Sequence, residues 1–133
     1  MKAIIVSATS GIGEGLCKSW AKKGWKVFGT YRSHSSAVEM LEHEYGIPLV
    51  PCDLASISSI QNACDQLKLT CDEWDILVFA AGTLDPIGPF ETVDFEEWEK
   101  SLQVNFTQQI RILHSLLPVR NKNSQKSSVL FFA

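Results

Sequence analysis

Near the amino terminus, Ser7-Ala8-Thr9-Ser10-Gly11-Ile12-Gly13 joins a short β-type segment directly to a helical one. Small side chains let a backbone come close to a pyrophosphate. The first turn of the following helix offers unpaired N–H groups and the positive end of its dipole. A tight strand-to-helix turn uses the same residue types without any ligand, and what favours phosphate chemistry is the context, a strand before and a helix after. The other reactive side chains are scattered. Cys17, Cys52, Cys64 and Cys71 have neither metal-ligand pairing nor the density of a disulfide framework, and are expected to be reduced thiols. His34, His43 and His114 stand apart from any carboxylate or serine at triad or metal spacing, so surface or packing roles are expected and no metal site is.

The elements that would position the turn follow from the apolar pattern. Strands are expected at Lys2–Val6, Lys26–Tyr31, Ile47–Cys52, Asp75–Ala80 and Ser128–Phe132, several of them apolar on both faces as buried parallel strands are. Helices alternate with them. The first begins near Gly11, carries Ile12, Leu16 and Trp20 on one face and stops at Gly24. The second runs from Ser35 through Val38 and Leu41 to Gly46, and the third starts at Ser56 with Ile57, Ile60, Cys64 and Leu67 as its buried stripe. Asp94 caps the fourth and longest, whose stripe of Trp98, Leu102, Phe106, Ile110, Leu113 and Leu117 lasts until Pro118. Gly82 to Val93 is a long loop of the kind that contacts ligands, and Pro118 to Ser127 is polar and is expected on the surface. This βαβα order predicts an α/β class with a parallel sheet in the order 3-2-1-4-5. The ligand crevice is expected where the order reverses, between the turns after strands one and four.

The 133 residues make one domain of ordinary size, with 15 acidic and 12 basic side chains and a formal net charge of −3. No basic field draws nucleic acid or an anionic membrane, and neither is an expected partner. The longest apolar run, Ile76 to Ala81, falls far short of the roughly 18 residues that a membrane-spanning helix needs. Met1 to Ser7 lacks an extended apolar region and a small-residue cleavage site, so a cytoplasmic setting is expected.

With these elements in place, the chain resembles the short-chain dehydrogenase/reductase family. That family's first turn is usually T-G-x-x-x-G-x-G; Val6 and Ser7 occupy the first two slots and Gly11 and Gly13 keep the later glycines, so a serine replaces the first one. Cys52-Asp53-Leu54 sits where the family has an acidic residue at the adenine edge. Phe79-Ala80-Ala81-Gly82 sits where it has N-N-A-G, with Ala81 and Gly82 matching. Val104-Asn105-Phe106 falls where it carries V-N and uses the asparagine in its catalytic tetrad, whereas Asn105 alone would read as a polar residue on a helix surface. The resemblance implies a Rossmann-type doubly wound fold and a nicotinamide cofactor. Its expected contacts are Ser7, Thr9, Ser10, Gly11, Ile12, Gly13, Tyr31, Arg32, Asp53, Leu54, Ala80, Ala81 and Gly82, with Asn105 in the catalytic set. Sites that prefer NAD tend to place an acidic residue at the end of the second strand. Here the strand ends Thr30-Tyr31-Arg32, and an arginine accommodates a 2′-phosphate, so NADP(H) is favoured over NAD(H).

The family's Tyr-x-x-x-Lys proton donor is not assignable: Tyr31 and Tyr45 are the only tyrosines, and the residues four positions on are Ser35 and Leu49. The serine that follows the fifth strand in the family is not assignable either. Val129 and Phe131 would face one side of the last strand and Leu130 and Phe132 the other, a pattern that suits a covered central strand. The chain is therefore expected to be the cofactor-binding half of a longer, truncated reductase, inactive alone and prone to associate as a homo-oligomer. When complete, the protein would transfer hydride between nicotinamide and a small-molecule carbonyl or alcohol. The alternative is a non-catalytic dinucleotide-binding or interaction module.

Overall fold

The computed structural model describes residues 1–123 and 127–132; positions 124–126 of the loop expected between Pro118 and Ser127, and Ala133, lie outside them. Strands β1 (Lys2–Val6), β2 (Lys26–Tyr31), β3 (Leu49–Pro51), β4 (Ile76–Phe79) and β5 (Ser128–Phe131) form one parallel sheet in the order β3-β2-β1-β4-β5. Ala3 pairs with both Val27 and Ile76, which places β1 at the centre and its carboxyl end beside that of β4. Between the strands run α1 (Gly11–Lys22), α2 (Ser36–His43) and α3 (Ile57–Thr70). After β4 come α4 (Phe95–Leu102) and α5 (Gln108–Leu116).

Alternation along β1 divides the core. Ile4 and Val6 meet Ile60, Leu67, Phe79, Ile112 and Leu116 on the α3 and α5 side. Ile5 and Ala8 meet Cys17, Leu41 and Val78 on the α1 and α2 side. Trp74 is fully buried with its indole N–H donating to the Leu116 carbonyl oxygen at 2.8 Å, which satisfies the one polar atom such a ring brings inside. All four cysteines are unpaired and buried. Burial pushes the Cys17 and Cys52 thiols up to about 12, so at neutral pH they pack as small neutral side chains. Among the described residues, no helix is long and apolar enough to cross a membrane.

Three packing expectations change. Ile12 and Ile57 are exposed, because α1 turns Gly13 and Cys17 inward and α3 turns Ile60, Ala63, Cys64 and Leu67 inward. The long fourth helix is interrupted by a π-helical turn over Gln103–Thr107, and Leu117–Val119 forms a closing 3-10 turn. Most of its expected buried stripe faces outward: Trp98, Leu102, Phe106, Ile110 and Leu117 are exposed and only Leu113 packs on the core, alongside Val104 and the buried Ile112 and Leu116. The two apolar rows lie two residues apart, about 200° around the axis, so periodicity marks both and does not choose between them. The last strand also differs. β5 is an edge strand hydrogen-bonded only to β4, and Leu130, Phe131 and Phe132 are exposed because no described element packs outside it.

Candidate functional site

The turn after β1 is held by its own backbone. The Ser7 N–H donates to Thr30 Oγ1 at 3.0 Å and the Ala8 N–H to the Thr30 carbonyl oxygen at 2.8 Å, which ties the turn to the end of β2. Ser7 adopts a positive φ of 66°, the left-handed region where side chains other than glycine are uncommon. Ser10 caps α1: its hydroxyl accepts the Gly13 N–H at 3.1 Å and donates to the Ser7 carbonyl oxygen at 2.9 Å. Gly13 is buried beneath this arch, where a β-carbon would collide with the Ser7 carbonyl oxygen.

Two cavities adjoin above the carboxyl ends of the strands. The first, about 300 Å³, is lined by Ser7, Arg32, Cys52, Asp53 and Leu54, with Ala81, Gly82 and Thr83 closing one side. The second, about 530 Å³, takes in Ile12, Ala80, Leu84, Asn105 and Phe132 and shares Ala81, Gly82 and Thr83 with the first. The turn that joins Ser7 to Ile12 therefore borders both. Ile12 is exposed because it serves as cavity wall rather than core. Of the expected cofactor contacts, Thr9, Ser10, Gly11 and Gly13 stay within the turn, and Tyr31 lines neither cavity. The Tyr31 carbonyl oxygen instead accepts the Cys52 N–H at 2.8 Å. One carboxylate oxygen of Asp53 accepts the Ala55 N–H at 2.9 Å, which braces the loop after β3.

Asn105 sits inside the π-helical turn and grips the strand β4 loop from both sides. Its Oδ1 accepts the Thr83 N–H at 2.7 Å and its Nδ2 donates to the Thr83 carbonyl oxygen at 2.9 Å. A second amide, absent from the sequence expectations, supports it. Gln109 is buried, and its Nε2 donates to the carbonyl oxygens of Ala81 at 3.1 Å and Val104 at 3.2 Å. It thus splints the widened turn to the end of β4. The signal was present as a glutamine pair, Gln108-Gln109, one helical turn beyond Asn105. Sequence reasoning also missed Lys100 and Glu97 on the first cavity wall, ion-paired at 2.9 Å. That bond to Glu97 raises the Lys100 pKa above the usual lysine value.

Comparison with known proteins agrees with this architecture. A family model described as Enoyl-(Acyl carrier protein) reductase matches residues 6–133. Serine 3-dehydrogenase of Agrobacterium fabrum is 32% identical over 117 residues, which cover 86% of this chain and 47% of that protein. Fatty acyl-CoA reductase of Acinetobacter baylyi is 30% identical over 130 residues, 92% of this chain and 44% of the relative. A Haemophilus influenzae protein named Probable NADP-dependent dehydrogenase is 27% identical over 118 residues, 87% of this chain and 46% of the relative. Among solved structures, a short-chain dehydrogenase/reductase of Saccharomyces cerevisiae superposes with a TM-score of 0.86 at 22% identity, over 99% of this chain and 53% of that one. The chain spans about half the length of the curated relatives it matches.

Proposed function

Because the chain belongs to the short-chain dehydrogenase/reductase family, whose members are oxidoreductases that use nicotinamide cofactors, we propose that it binds NADP(H) as the cofactor-binding part of a carbonyl or alcohol oxidoreductase. The observation that carries this reading is the pair of adjoining cavities bordered by one strand-to-helix turn, a shape that fits a two-ended dinucleotide. The N-terminal N–H groups of α1 would receive the pyrophosphate. Asp53 and Leu54 would meet the adenine edge, and the Arg32 guanidinium the 2′-phosphate. When bound, the nicotinamide supplies the hydride chemistry. Asn105 would act by holding Thr83, and with it the rim shared by both cavities, in one position. The name of the Haemophilus influenzae relative supports the phosphorylated cofactor.

Titration of the purified chain with NADPH and NADH, followed by calorimetry at fixed salt, tests the reading. NADPH binds, and binds more tightly than NADH; no binding of either nucleotide overturns the proposal. The same preparation shows no turnover against a panel of carbonyl substrates. Reduction needs a proton at the developing alkoxide, and no tyrosine with a lysine four residues on is present to give it. Steady NADPH oxidation would mean that another residue supplies that proton.

The outward apolar row of the fourth helix supports a homo-oligomer as part of the same reading. Phe95 stacks on Trp98 with ring centroids 5.4 Å apart, Phe90 meets Trp98 edge-on at 5.9 Å, and Leu102 and Phe106 continue the patch in the open. Light scattering across concentration is expected to show association that Phe106→Glu reduces. A monomer throughout the range would refute it.

A further inference from the structure

Ser7 is the one non-glycine residue with a positive φ among the described residues. Every hydrogen bond that Ser7 contributes to its turn comes from its backbone: the N–H goes to Thr30 Oγ1 at 3.0 Å, and the carbonyl oxygen accepts from the Ser10 hydroxyl at 2.9 Å and the Ser10 N–H at 3.2 Å. Glycine would make the same bonds without strain. The hydroxyl takes no part in them and makes no hydrogen bond to another described residue, although Ser7 lines the first cavity. A strained side chain that contributes nothing to its own turn points to a ligand.

Arg32 identifies the ligand chemistry. Arg32 lies one residue beyond the end of β2 and two positions after Thr30, whose hydroxyl oxygen accepts the Ser7 N–H at 3.0 Å. Ser7 and Arg32 also line the same cavity. The remaining charged groups on that wall do not compete for an anion: Asp53, Asp85 and Glu97 are acidic, and Lys100 is paired to Glu97. A neutral hydroxyl donor beside a guanidinium suits a phosphomonoester.

We propose that the Ser7 hydroxyl donates to the adenosine 2′-phosphate alongside Arg32, which makes Ser7 a specificity-determining residue for the phosphorylated cofactor. The proposal rests on the NADP(H) reading above. It is tested by measuring NADPH and NADH affinity for the wild type, Ser7→Ala and Ser7→Gly at one salt concentration, with the melting temperature of each. Ser7→Ala weakens NADPH about tenfold while NADH changes less than about twofold, as loss of one hydrogen bond to a charged oxygen requires. Ser7→Gly melts higher because its φ is relaxed, yet loses the same NADPH affinity. If Ser7→Gly binds NADPH as well as the wild type or better, the side chain only crowds the turn and the proposal fails. Equal losses for both nucleotides would assign the contact to the sugar and also overturn it. Failure of the underlying reading looks different: the wild type itself would then bind no NADPH.

Discussion

Gly13→Ala is expected to destabilise the folded chain by about 3 kcal/mol, the upper range for forcing atoms into a filled site, and to abolish the proposed binding of nicotinamide nucleotides. The added methyl has no room: it collides with the Ser7 carbonyl oxygen, stands 2.9 Å from Ser10 Oγ and 3.1 Å from the Ala8 carbonyl carbon. None of these atoms moves cheaply. Ser7 is tied through its N–H to Thr30, and Ser10 is engaged at once as the cap of α1 and as a donor to Ser7. Displacing the arch therefore uncaps the helix whose N-terminus would receive the pyrophosphate. Urea unfolding followed by circular dichroism measures the first effect and nucleotide titration the second. Gly11→Ala is the control, since a β-carbon there meets nothing within 4 Å. Its stability stays within about 1 kcal/mol of the wild type, because alanine favours a helix over glycine. If the two variants unfold alike, the packing account of Gly13 is wrong.

Arg32→Ala is expected to lose about one to two decades of NADPH affinity with little change for NADH. A hydrogen bond to an ionised group is worth about 1.5 to 3 kcal/mol, and each 1.4 kcal/mol is tenfold. Arg32 lies on the first cavity just beyond the end of β2 and is exposed, so its contact is screened by salt and the comparison belongs at one ionic strength. Arg32→Lys retains the charge but not the planar fork, and falls between alanine and the wild type. Equal losses for the two nucleotides would remove Arg32 as the phosphate-reading residue.

Much of this was legible in the chain. Short β-type runs alternating with helical ones permit few arrangements, because right-handed crossovers place helices on both faces of a parallel sheet. The strand order found is the one this pattern predicts. Val38 and Leu41 face the core as their spacing requires, and Asp94 caps α4 through the N–H groups of Glu96 and Glu97. The candidate site was legible in part. The small residues of the first turn and the Ala80-Ala81-Gly82 segment are local in sequence and carry their geometry with them. Gln109 is different: its role is a pair of bonds to Ala81 and Val104, one of them across 28 positions, and a glutamine within an apolar stretch does not announce it.

By itself, then, the sequence determined the class, the order of elements and the location of the tight strand-to-helix turn after β1, since each depends on residues close together in the chain. The tertiary structure alone decided which row of the fourth helix is core. Trp98, Leu102, Phe106 and Ile110 make a convincing stripe, but the sheet takes the row of Val104, Ile112 and Leu116. On that side Gln109 reaches the end of β4, and the π-helical turn brings Asn105 against Thr83. Apolar periodicity marks both rows alike, and which of them is buried is decided by the sheet and α3 against which the helix packs, surfaces that lie far away in the sequence.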